Sequence, residues 1–366
     1  MDIPLVDLAI QHREIADEIK RGFEEVFERT SFIHGPAVAE FERAFAKFSG
    51  VRHCVGVGSG TDAIELILRA QGIGNGDEVI VPANTFIATP LAVTRVGAVP
   101  VFVDSDPIYH LIDVSKVKAC INKRTRGILA VDLYGQVAPF EILEDLARGR
   151  GIAVIEDAAQ SHGAVRNGCR AGGFGVAAAT SFYPGKNLGA YGDAGAVLTN
   201  DDDFAEAVRQ LGNWGGTVKY QHPRVGFNSR LDSLQAVVLR AKLERLPRWN
   251  DERRAAAARY EGLLGASGDL VLPEVQADGE AVWHLYVVRV PERDRVLARL
   301  NDAGIGAGIH YPTPCHLQGA YASLGHSRGS FPVAEQAADE ILSLPIYPGI
   351  TEQQQERVAE VLLRSI

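Results

Sequence analysis

The sequence has 366 residues, enough for two domains, and its hydrophobic fraction of 46% and charged fraction of 23% exclude a disordered or collagen-like chain. The formal net charge of -9 and the lack of any long basic run argue against nucleic-acid binding, which needs cations to neutralise the phosphates. No stretch approaches the ~18 consecutive apolar residues of a membrane span, so we expect no membrane partner.

The N-terminus and the cysteines predict a cytoplasmic protein. Residues 1–7 lack the basic and apolar regions of a secretory signal. The cysteines form no Cys-x-x-Cys pair, so we expect reduced and mostly buried thiols rather than disulfides or a zinc site. They are Cys54, Cys120, Cys169 and Cys315.

Apolar periodicity defines the elements of the first two thirds of the chain. Residues 13–29 carry apolar side chains at steps of three and four, which predicts a helix, and the pattern recurs after Pro36. Short apolar runs then alternate with helical stretches, at 53–57, 78–81, 99–103, 127–133, 152–156, 177–182 and 194–199. Nearly continuous apolar runs are typical of a parallel sheet buried on both faces. We therefore predict an α/β fold with a mostly parallel seven-stranded sheet between helices.

The pattern changes in the last third of the chain. Residues 282–290 alternate in polarity, like a strand with one exposed face. Helical patterns occur at 231–246, 249–264, 292–303, 332–342 and 351–364. We predict a large domain over 1–246, which includes the N-terminal helical segment, and a smaller C-terminal α+β domain over 247–366.

Polar residues that follow the apolar runs are candidate ligand contacts, because open α/β sheets bind ligands outside the carboxyl ends of their strands. The first candidate is the glycine-rich turn at 56–62, which precedes a helix. Glycine lets the backbone approach a ligand, and free N–H groups at a helix N-terminus attract a phosphate. The turn does not fit the dinucleotide fingerprint, because position 61 is threonine, and Gly185-Lys186 does not form a P-loop, because Asn187 follows. Alone, the turn fits equally well one in which Thr61 or Asp62 caps the helix.

The second candidate is a pair of carboxylates, Glu156 and Asp157, at the end of an apolar run. Burying a carboxylate is costly unless it has partners. Since successive side chains of an extended chain point in opposite directions, one of the two can be structural while the other faces a ligand. A solvated strand end is the alternative.

The third candidate is Lys186, which lies between an apolar run and a glycine-rich turn. A partly desolvated lysine has a lowered pKa and can attack a carbonyl group. The alternative is a lysine that extends from a loop into solvent. Together, a phosphate-binding turn, an acid and such a lysine are the groups that pyridoxal 5'-phosphate requires: the lysine forms the Schiff base, the acid keeps the ring nitrogen protonated and the turn binds the phosphate.

Motifs spread over nearly the whole chain resemble those of the DegT/DnrJ nucleotide-sugar aminotransferases, which have the fold-type I architecture of pyridoxal-phosphate-dependent transferases. The motifs lie at 58–63, 76–82, 84–86, 133–136, 156–160, 181–189, 226–232, 284–286 and 308–312. So many motifs in the family's order make a chance match improbable.

The resemblance implies a role for each matching residue. Lys186 matches the Schiff-base lysine, which also moves a proton between substrate and cofactor, and Asp157 matches the partner of the pyridine nitrogen. The other implied cofactor contacts are Gly60, Thr61 and Ser181 to the phosphate, Gln160 to the phenolic oxygen, Phe86 stacked on the ring, and Asn228 to the phosphate of the neighbouring subunit. A contact across subunits implies a homodimer with shared active sites.

The resemblance also implies substrate contacts. His310 and Tyr311 match positions of the sugar-nucleotide pocket, Tyr183 is a further candidate, and Lys219 could receive a substrate carboxylate from the partner chain. We expect no metal, because the grouping of His310 with Cys315 and a neighbouring histidine lacks a fourth ligand and is interrupted by prolines.

A lysine at position 186 favours transamination over dehydration, because the sugar dehydratases that resemble this chain carry histidine there. The sequence after the lysine, at 187–189 and 192–195, resembles the branch that acts at C-3. We therefore expect transfer of an amino group from L-glutamate to a nucleotide-linked, dTDP-type 3-keto-6-deoxyhexose, giving a 3-amino-3,6-dideoxyhexose nucleotide. The alternatives are a C-4 keto-sugar aminotransferase, a ketocyclitol aminotransferase, a non-catalytic pyridoxal-phosphate-binding regulator and a nicotinamide-dependent oxidoreductase.

Overall fold

Helices make up much of the computed structural model, which describes residues 2–366. They are α1 (Leu8–Arg29), α2 (Pro36–Ser49), α3 (Gly60–Ala70), α4 (Ala88–Arg95), α5 (Val114–Cys120), α6 (Phe140–Ala147), α7 (Asp202–Gly212), α8 (Ser233–Leu243), α9 (Leu246–Leu264), α10 (Arg293–Asp302), α11 (Pro332–Glu340) and α12 (Glu352–Leu363). Their ends carry the expected signals. Proline opens α2, and Gly50 closes it with a φ of 74° that favours glycine. Thr351 and Gln354 form a reciprocal capping box at the start of α12.

The strands form one large sheet and two small ones. They are β1 (His53–Val57), β2 (Glu78–Pro82), β3 (Val99–Val103), β4 (Thr125–Val131), β5 (Ala153–Asp157), β6 (Val165–Arg166), β7 (Cys169–Arg170), β8 (Ala177–Ser181), β9 (Gly195–Thr199), β10 (Gly279–Glu280), β11 (Tyr286–Arg289) and β12 (Ile341–Leu344). Within residues 2–366, seven strands build the large sheet in the order β1-β9-β8-β5-β4-β2-β3. Strand β9 runs antiparallel to both neighbours, and the other pairings are parallel. The predicted fold class is confirmed.

Helices cover both faces of the large sheet. On β2, Val79 and Val81 pack on one face with α3 and α4, whereas Ile80 packs on the other face with Phe140 of α6. All residues of β2 are buried. Burial on both faces explains why the sequence of these strands is continuously apolar.

A second core lies in the C-terminal third. It joins Tyr260 of α9, Val288 of β11, Leu344 of β12 and Val358 of α12. Helix α9 begins at Leu246, next to the predicted domain boundary. The division into 1–246 and 247–366 stays a prediction.

The segment 315–334 packs against the large sheet although it comes late in the chain. Cys315 and Ala334 belong to the same core as Phe102 of β3. The carboxylate of Asp104, which follows β3, accepts a hydrogen bond of 2.9 Å from the backbone N–H of Ala334 near the start of α11. The two parts of the chain are thereby joined by packing and by hydrogen bonds.

Two predicted elements differ from the structure. The strand predicted at 282–290 is confined to β11, because Trp283 has a φ of 47° and the N–H of Val282 bonds the carbonyl of Gly135 instead of a strand neighbour. The helix predicted at 332–342 ends at Glu340, and the chain continues directly as β12, whose residues are all buried. A strand buried on both faces has no alternation of polar and apolar residues, so its sequence cannot be distinguished from the end of a buried helix.

The helices and cysteines of residues 2–366 bear on membrane insertion and on disulfide formation. None of the helices there combines the length and the hydrophobicity needed to cross a bilayer. All the cysteines are free thiols: Cys54 and Cys315 are buried and Cys120 is partly buried, but Cys169 is exposed. Cys169 lies in the short β7, whose two residues are both exposed.

Candidate active site

A cavity of about 430 Å³ lies at the carboxyl edge of the large sheet. Strands β1, β2, β5 and β8 run in the same direction, so the segments that follow them meet at this edge. Most of the site residues predicted from the sequence line the cavity: Gly60, Thr61, Phe86, Asp157, Gln160, Ser181, Tyr183, Lys186, His310 and Tyr311. Lys219 and Asn228 do not.

The N-terminus of α3 forms one end of the cavity. Ser59 caps the helix by accepting a hydrogen bond of 3.1 Å from the backbone N–H of Asp62. Within residues 2–366, the N–H groups of Gly60 and Thr61 have no protein acceptor. The hydroxyl of Ser181, at the end of β8, lies on the same side of the cavity. Free N–H groups, a helix dipole and nearby hydroxyls are suited to a phosphate.

Asp157, the last residue of β5, is buried at the floor of the cavity. Its Oδ2 accepts a hydrogen bond of 2.8 Å from the hydroxyl of Thr89, and its Oδ1 accepts one of 3.2 Å from the backbone N–H of Ala159. Burial raises the pKa of Asp157, while these hydrogen bonds and the charge of Lys186 oppose the rise. The carboxylate is therefore held in place with capacity left for a cationic partner in the cavity.

The neighbouring Glu156 points to the opposite face of the sheet. It is fully buried and accepts hydrogen bonds from the backbone N–H groups of Gly172 (2.7 Å) and Phe174 (3.0 Å). Burial, together with the neighbouring buried carboxyl of Asp132, raises the pKa of Glu156 well above its usual value. Glu156 is thus a structural group, and the two adjacent acids have separate tasks.

Lys186 lines the cavity in the turn that follows β8. Burial lowers the pKa of its ammonium group to about 8, although the carboxylate of Asp157 acts in the opposite direction. About a tenth of this amine is consequently unprotonated at pH 7, far more than for an ordinary lysine, and attack on a carbonyl group requires the unprotonated form.

Aromatic rings form a wall above these polar groups. Phe86 follows β2 and is 51% exposed although it is a large apolar residue. Its ring centroid lies 5.4 Å from that of Tyr311, at an interplanar angle of 38°. The exposed face of the Phe86 ring is suited to stacking on a flat ring bound in the cavity.

Gln160 is oriented by two protein contacts. Its Oε1 accepts a hydrogen bond of 2.7 Å from the backbone N–H of Tyr134, and its Nε2 donates one of 3.0 Å to the hydroxyl of Tyr311. The second hydrogen of Nε2 remains available for a ligand in the cavity.

His310 is held by a residue of β12. Its Nδ1 lies 2.8 Å from the hydroxyl of Ser343 in β12. Burial and the charge of Lys186 lower the pKa of His310 to about 4, so the ring is neutral at physiological pH. The neighbouring Cys315 and His316 have partners elsewhere: Cys315 donates to the carbonyl of Thr85, and His316 bonds Glu335.

Lys219 and Asn228 lie in the segment between α7 and α8, away from the cavity. Asn228 pairs with Asn213 through a backbone bridge and lines a second, smaller cleft beside Asp62. The Lys219 ammonium group lies 5.0 Å from the ring centroid of Tyr220, which is 84% exposed. Contacts of Lys219 and Asn228 with a neighbouring subunit's site remain predictions.

The cavity also contains residues to which the sequence analysis assigned no role: Thr89, Asp193 and His284. Thr89 follows Phe86 by three residues, a spacing that places two side chains on one side of a helical turn. His284 belongs to a motif that was recognised in the sequence, but the motif alone does not show that its side chain faces a ligand.

The residues that line this cavity fit pyridoxal 5'-phosphate. The N-terminus of α3 offers donors for a phosphate, Asp157 offers a buried carboxylate for a protonated ring nitrogen, and Lys186 offers an amine for an aldehyde. Phe86 offers a face for the ring. Across residues 2–366, no group of three or more histidine, cysteine or acidic side chains is arranged to hold a metal ion.

Comparisons with known proteins place this cavity in a wider context. The sequence profile of the DegT/DnrJ/EryC1/StrS aminotransferase family matches residues 13–363. The chain is 48% identical over 362 residues to the "Erythromycin biosynthesis sensory transduction protein EryC1" of Saccharopolyspora erythraea, which covers 99% of both chains. It is 44% identical over 361 residues to a dTDP-3-amino-3,4,6-trideoxy-alpha-D-glucose transaminase of Streptomyces venezuelae, covering 98% of this chain and 95% of the other.

The same fold occurs in a solved structure. The crystal structure of DesV from S. venezuelae in complex with a ketimine intermediate superimposes with a TM-score of 0.97 at 43% sequence identity, covering 99% of this chain and 98% of that one. The likeness therefore extends over nearly the whole chain, including both cores and the residues that line the cavity.

Proposed function

We propose that this chain, which belongs to the DegT/DnrJ/EryC1/StrS aminotransferase family, transfers the amino group of L-glutamate to a dTDP-linked 3-keto-6-deoxyhexose. The chain is a sugar aminotransferase, and its cofactor is pyridoxal 5'-phosphate. The observation that carries the proposal is the meeting of Lys186, Asp157 and the N-terminus of α3 in one cavity. The product would be a 3-amino-3,6-dideoxyhexose nucleotide.

Different residues of the cavity would perform different tasks in the amino transfer. When bound, the cofactor supplies a ring that withdraws electrons from the carbon that carries nitrogen. The carboxylate of Asp157 keeps the ring nitrogen protonated, and the α3 N-terminus with Ser181 holds the phosphate. Nζ of Lys186 would hold the cofactor and would move a proton at the reacting carbon. Phe86 and Gln160 orient the ring.

Two observations support a sugar substrate aminated at C-3. The sequence that follows Lys186 resembles the C-3 branch, and the S. venezuelae relative is named a transaminase of a dTDP-3-amino sugar. The neutral His310 and the hydroxyl of Tyr311 would contact the sugar nucleotide, with Tyr183 beside them. Glutamate and keto sugar would use the same cavity in turn.

A homodimer with shared sites belongs to the proposal. Within residues 2–366, Lys186 is the sole lysine or arginine that lines the cavity, although both substrates carry negative charges. Lys219 and Asn228 project from an exposed segment outside their own cavity, so they are available to the site of a partner. A second chain would thus supply the missing cation and a phosphate contact.

A regulatory role is the second candidate, and the name of the S. erythraea relative favours it. Such a protein could bind the cofactor and the sugar without turnover. Steady turnover of glutamate with any keto sugar would exclude a purely regulatory role.

The test is incubation of the holoenzyme with L-glutamate and a panel of keto compounds, read by mass spectrometry. The panel contains 3-keto and 4-keto sugars on dTDP and on UDP, and a ketocyclitol. We expect an aminated product from the dTDP 3-keto sugar, and a preference for another member would overturn that substrate. Lys186→Ala is the control, since it should abolish turnover and the visible absorption of the lysine-bound cofactor.

A further inference from the structure

A chain of side-chain hydrogen bonds leads from α9 to the wall of the cavity through Asn250, Asn187 and His284. Nδ2 of Asn250 donates to the backbone carbonyl of His162 at 2.8 Å, and Nδ2 of Asn187 donates to the backbone carbonyl of Val282 at 2.9 Å. Since a carbonyl can only accept, these contacts fix the orientation of both amides. The Oδ1 atom of Asn187 is thereby directed at His284.

The fixed amide determines which nitrogen of His284 carries hydrogen. Oδ1 of Asn187 lies 3.2 Å from Nδ1 of His284, and an amide oxygen only accepts, so Nδ1 is the protonated nitrogen. Burial, followed by the charges of Lys186 and Arg253, lowers the pKa of His284 well below its usual value. A neutral ring with its hydrogen on Nδ1 has an unshared electron pair on Nε2.

The position of the ring is fixed as well. Nη1 of Arg253 donates to the backbone carbonyls of Trp283 and His284, at 3.1 and 3.4 Å. His284 lines the cavity, and no hydrogen-bonding group within residues 2–366 contacts its Nε2. His284 lines the same cavity as Lys186 and His310.

We propose that His284 is a specificity-determining residue of the sugar site, whose Nε2 accepts a hydrogen bond from a hydroxyl group of the sugar. The inference rests on the proposed function and names one contact of that substrate. Sugar hydroxyls are donors, whereas the carboxylates of glutamate offer no hydrogen to Nε2. A substrate that lacks this hydroxyl leaves a desolvated acceptor unpaired, which a site built for hydrogen bonding discriminates against.

The test separates the two nitrogens of His284 with two variants. In His284→Asn, the side-chain amide takes the place of Nδ1, so it keeps a donor for Asn187 but has no atom at the position of Nε2. In His284→Gln, the longer side chain brings its amide to the position of Nε2. His53→Asn is the matched control, since His53 bonds Asp202 outside the cavity. Stopped-flow absorption of the cofactor measures the two half-reactions separately, with glutamate and then with the keto-sugar nucleotide.

We expect His284→Asn to lower the second-order rate constant for the sugar about tenfold more than that for glutamate. His284→Gln should recover most of the loss, and His53→Asn should behave like the wild type. Equal losses in both half-reactions, or no loss with the sugar, would overturn the proposal. Cofactor absorption and thermal unfolding verify that each variant is folded.

Singly deoxygenated sugar nucleotides identify the hydroxyl. For the analogue that lacks the partner hydroxyl, wild type and His284→Asn should react at similar rates, and a defect that persists with every analogue would contradict the contact. A wild type that aminates no keto sugar in the panel refutes the proposed function. If the wild type aminates a keto sugar and His284→Asn does so at the same rate, the proposed contact of His284 is refuted and the proposed function is not.

Discussion

At the scale of single residues, the cavity has one lysine, Lys186, and two acidic residues, Asp157 and Asp193, and it suppresses the charge of its histidines. The pKa of His310 falls to about 4, and the pKa of His284 falls well below its usual value, so both rings are neutral. Lys186 is thus the cation of the cavity lining, and Asp157 is the buried acid beside it. Burial lowers the pKa of Lys186 and so sets its reactivity, while the charge of Asp157 opposes this shift.

The pKa of Lys186 predicts how its amine reacts in the apoenzyme. Only the unprotonated amine attacks an acylating reagent, so labelling of Lys186 should rise about tenfold per pH unit at low pH and level off above pH 8. An ordinary exposed lysine continues to gain reactivity up to about pH 10. Competitive labelling with isotopic acetic anhydride, read by mass spectrometry of the peptide, measures the profile.

Asp157→Asn is the matched variant for this measurement. The carboxylate of Asp157 raises the pKa of Lys186, so in the variant the labelling of Lys186 should level off at a lower pH. A profile of Lys186 that follows an ordinary lysine, or a shift upward in the variant, would contradict the electrostatic account.

The roles of residues that lie beside a recognisable local pattern could be predicted from the sequence. Their hydrogen-bond partners from distant parts of the chain could not. Lys186 and Asp157 each adjoin an apolar run and a recognisable motif. The hydrogen bond from Thr89 to Asp157 joins residues 68 positions apart, and the proton on Nδ1 of His284 depends on an amide 97 positions away. No local pattern encodes such pairings, since they arise only when the strands are placed side by side.

At the scale of elements, the phosphate end of the cavity depends on the close approach of β9 to the start of α3. A Cβ atom at Gly195 would lie 2.7 Å from the backbone nitrogen of Gly60 and closer still to the carbonyl of Ser59. Only glycine lets these two backbones meet. The strand order, with β9 next to β1, thus positions the donors of the helix.

Gly195→Ala should displace the N-terminus of α3. We expect the dissociation constant of the cofactor to rise at least about tenfold and the free energy of unfolding to fall by about 1–3 kcal/mol. Titration of the apoenzyme and denaturant unfolding measure the two effects. The control is Gly262→Ala in α9, where a Cβ atom meets nothing within 4 Å, so stability should rise by about 1 kcal/mol with cofactor binding unchanged. Wild-type cofactor affinity in Gly195→Ala would refute this role of the contact.

The strands of the large sheet were predictable because each is buried on both faces and separated from the next by a helix. The end of α11 was not, since β12 follows it without a turn and is equally apolar. Similarly, the N-terminal part of the strand predicted at 282–290 bonds the turn at Gly135 rather than a strand, a contact that periodicity does not reveal.

At the scale of the whole molecule, the proposed shared site makes a prediction for mixed chains. Lys186→Ala and Asn228→Ala chains, unfolded and refolded together, should form heterodimers in which one site contains both native residues. With random pairing, about half of the dimers are heterodimers, and one of the two sites in each heterodimer is intact. The activity of the mixture should therefore recover to about a quarter of that of the wild type. Sugar amination by the mixture and by each variant alone measures this recovery. A mixture no more active than the average of the two variants would show that Asn228 acts within its own chain or not at all.

The packing of segment 315–334 against β3 has a consequence for the way the chain is made. Phe102 lies in the first third of the sequence, yet Cys315 and Ala334 complete the core around it. During synthesis on the ribosome this face of the large sheet stays open until nearly all of the polypeptide has emerged. Folding therefore cannot finish in order from the N-terminus, and the nascent chain exposes apolar surface of the kind that chaperones recognise.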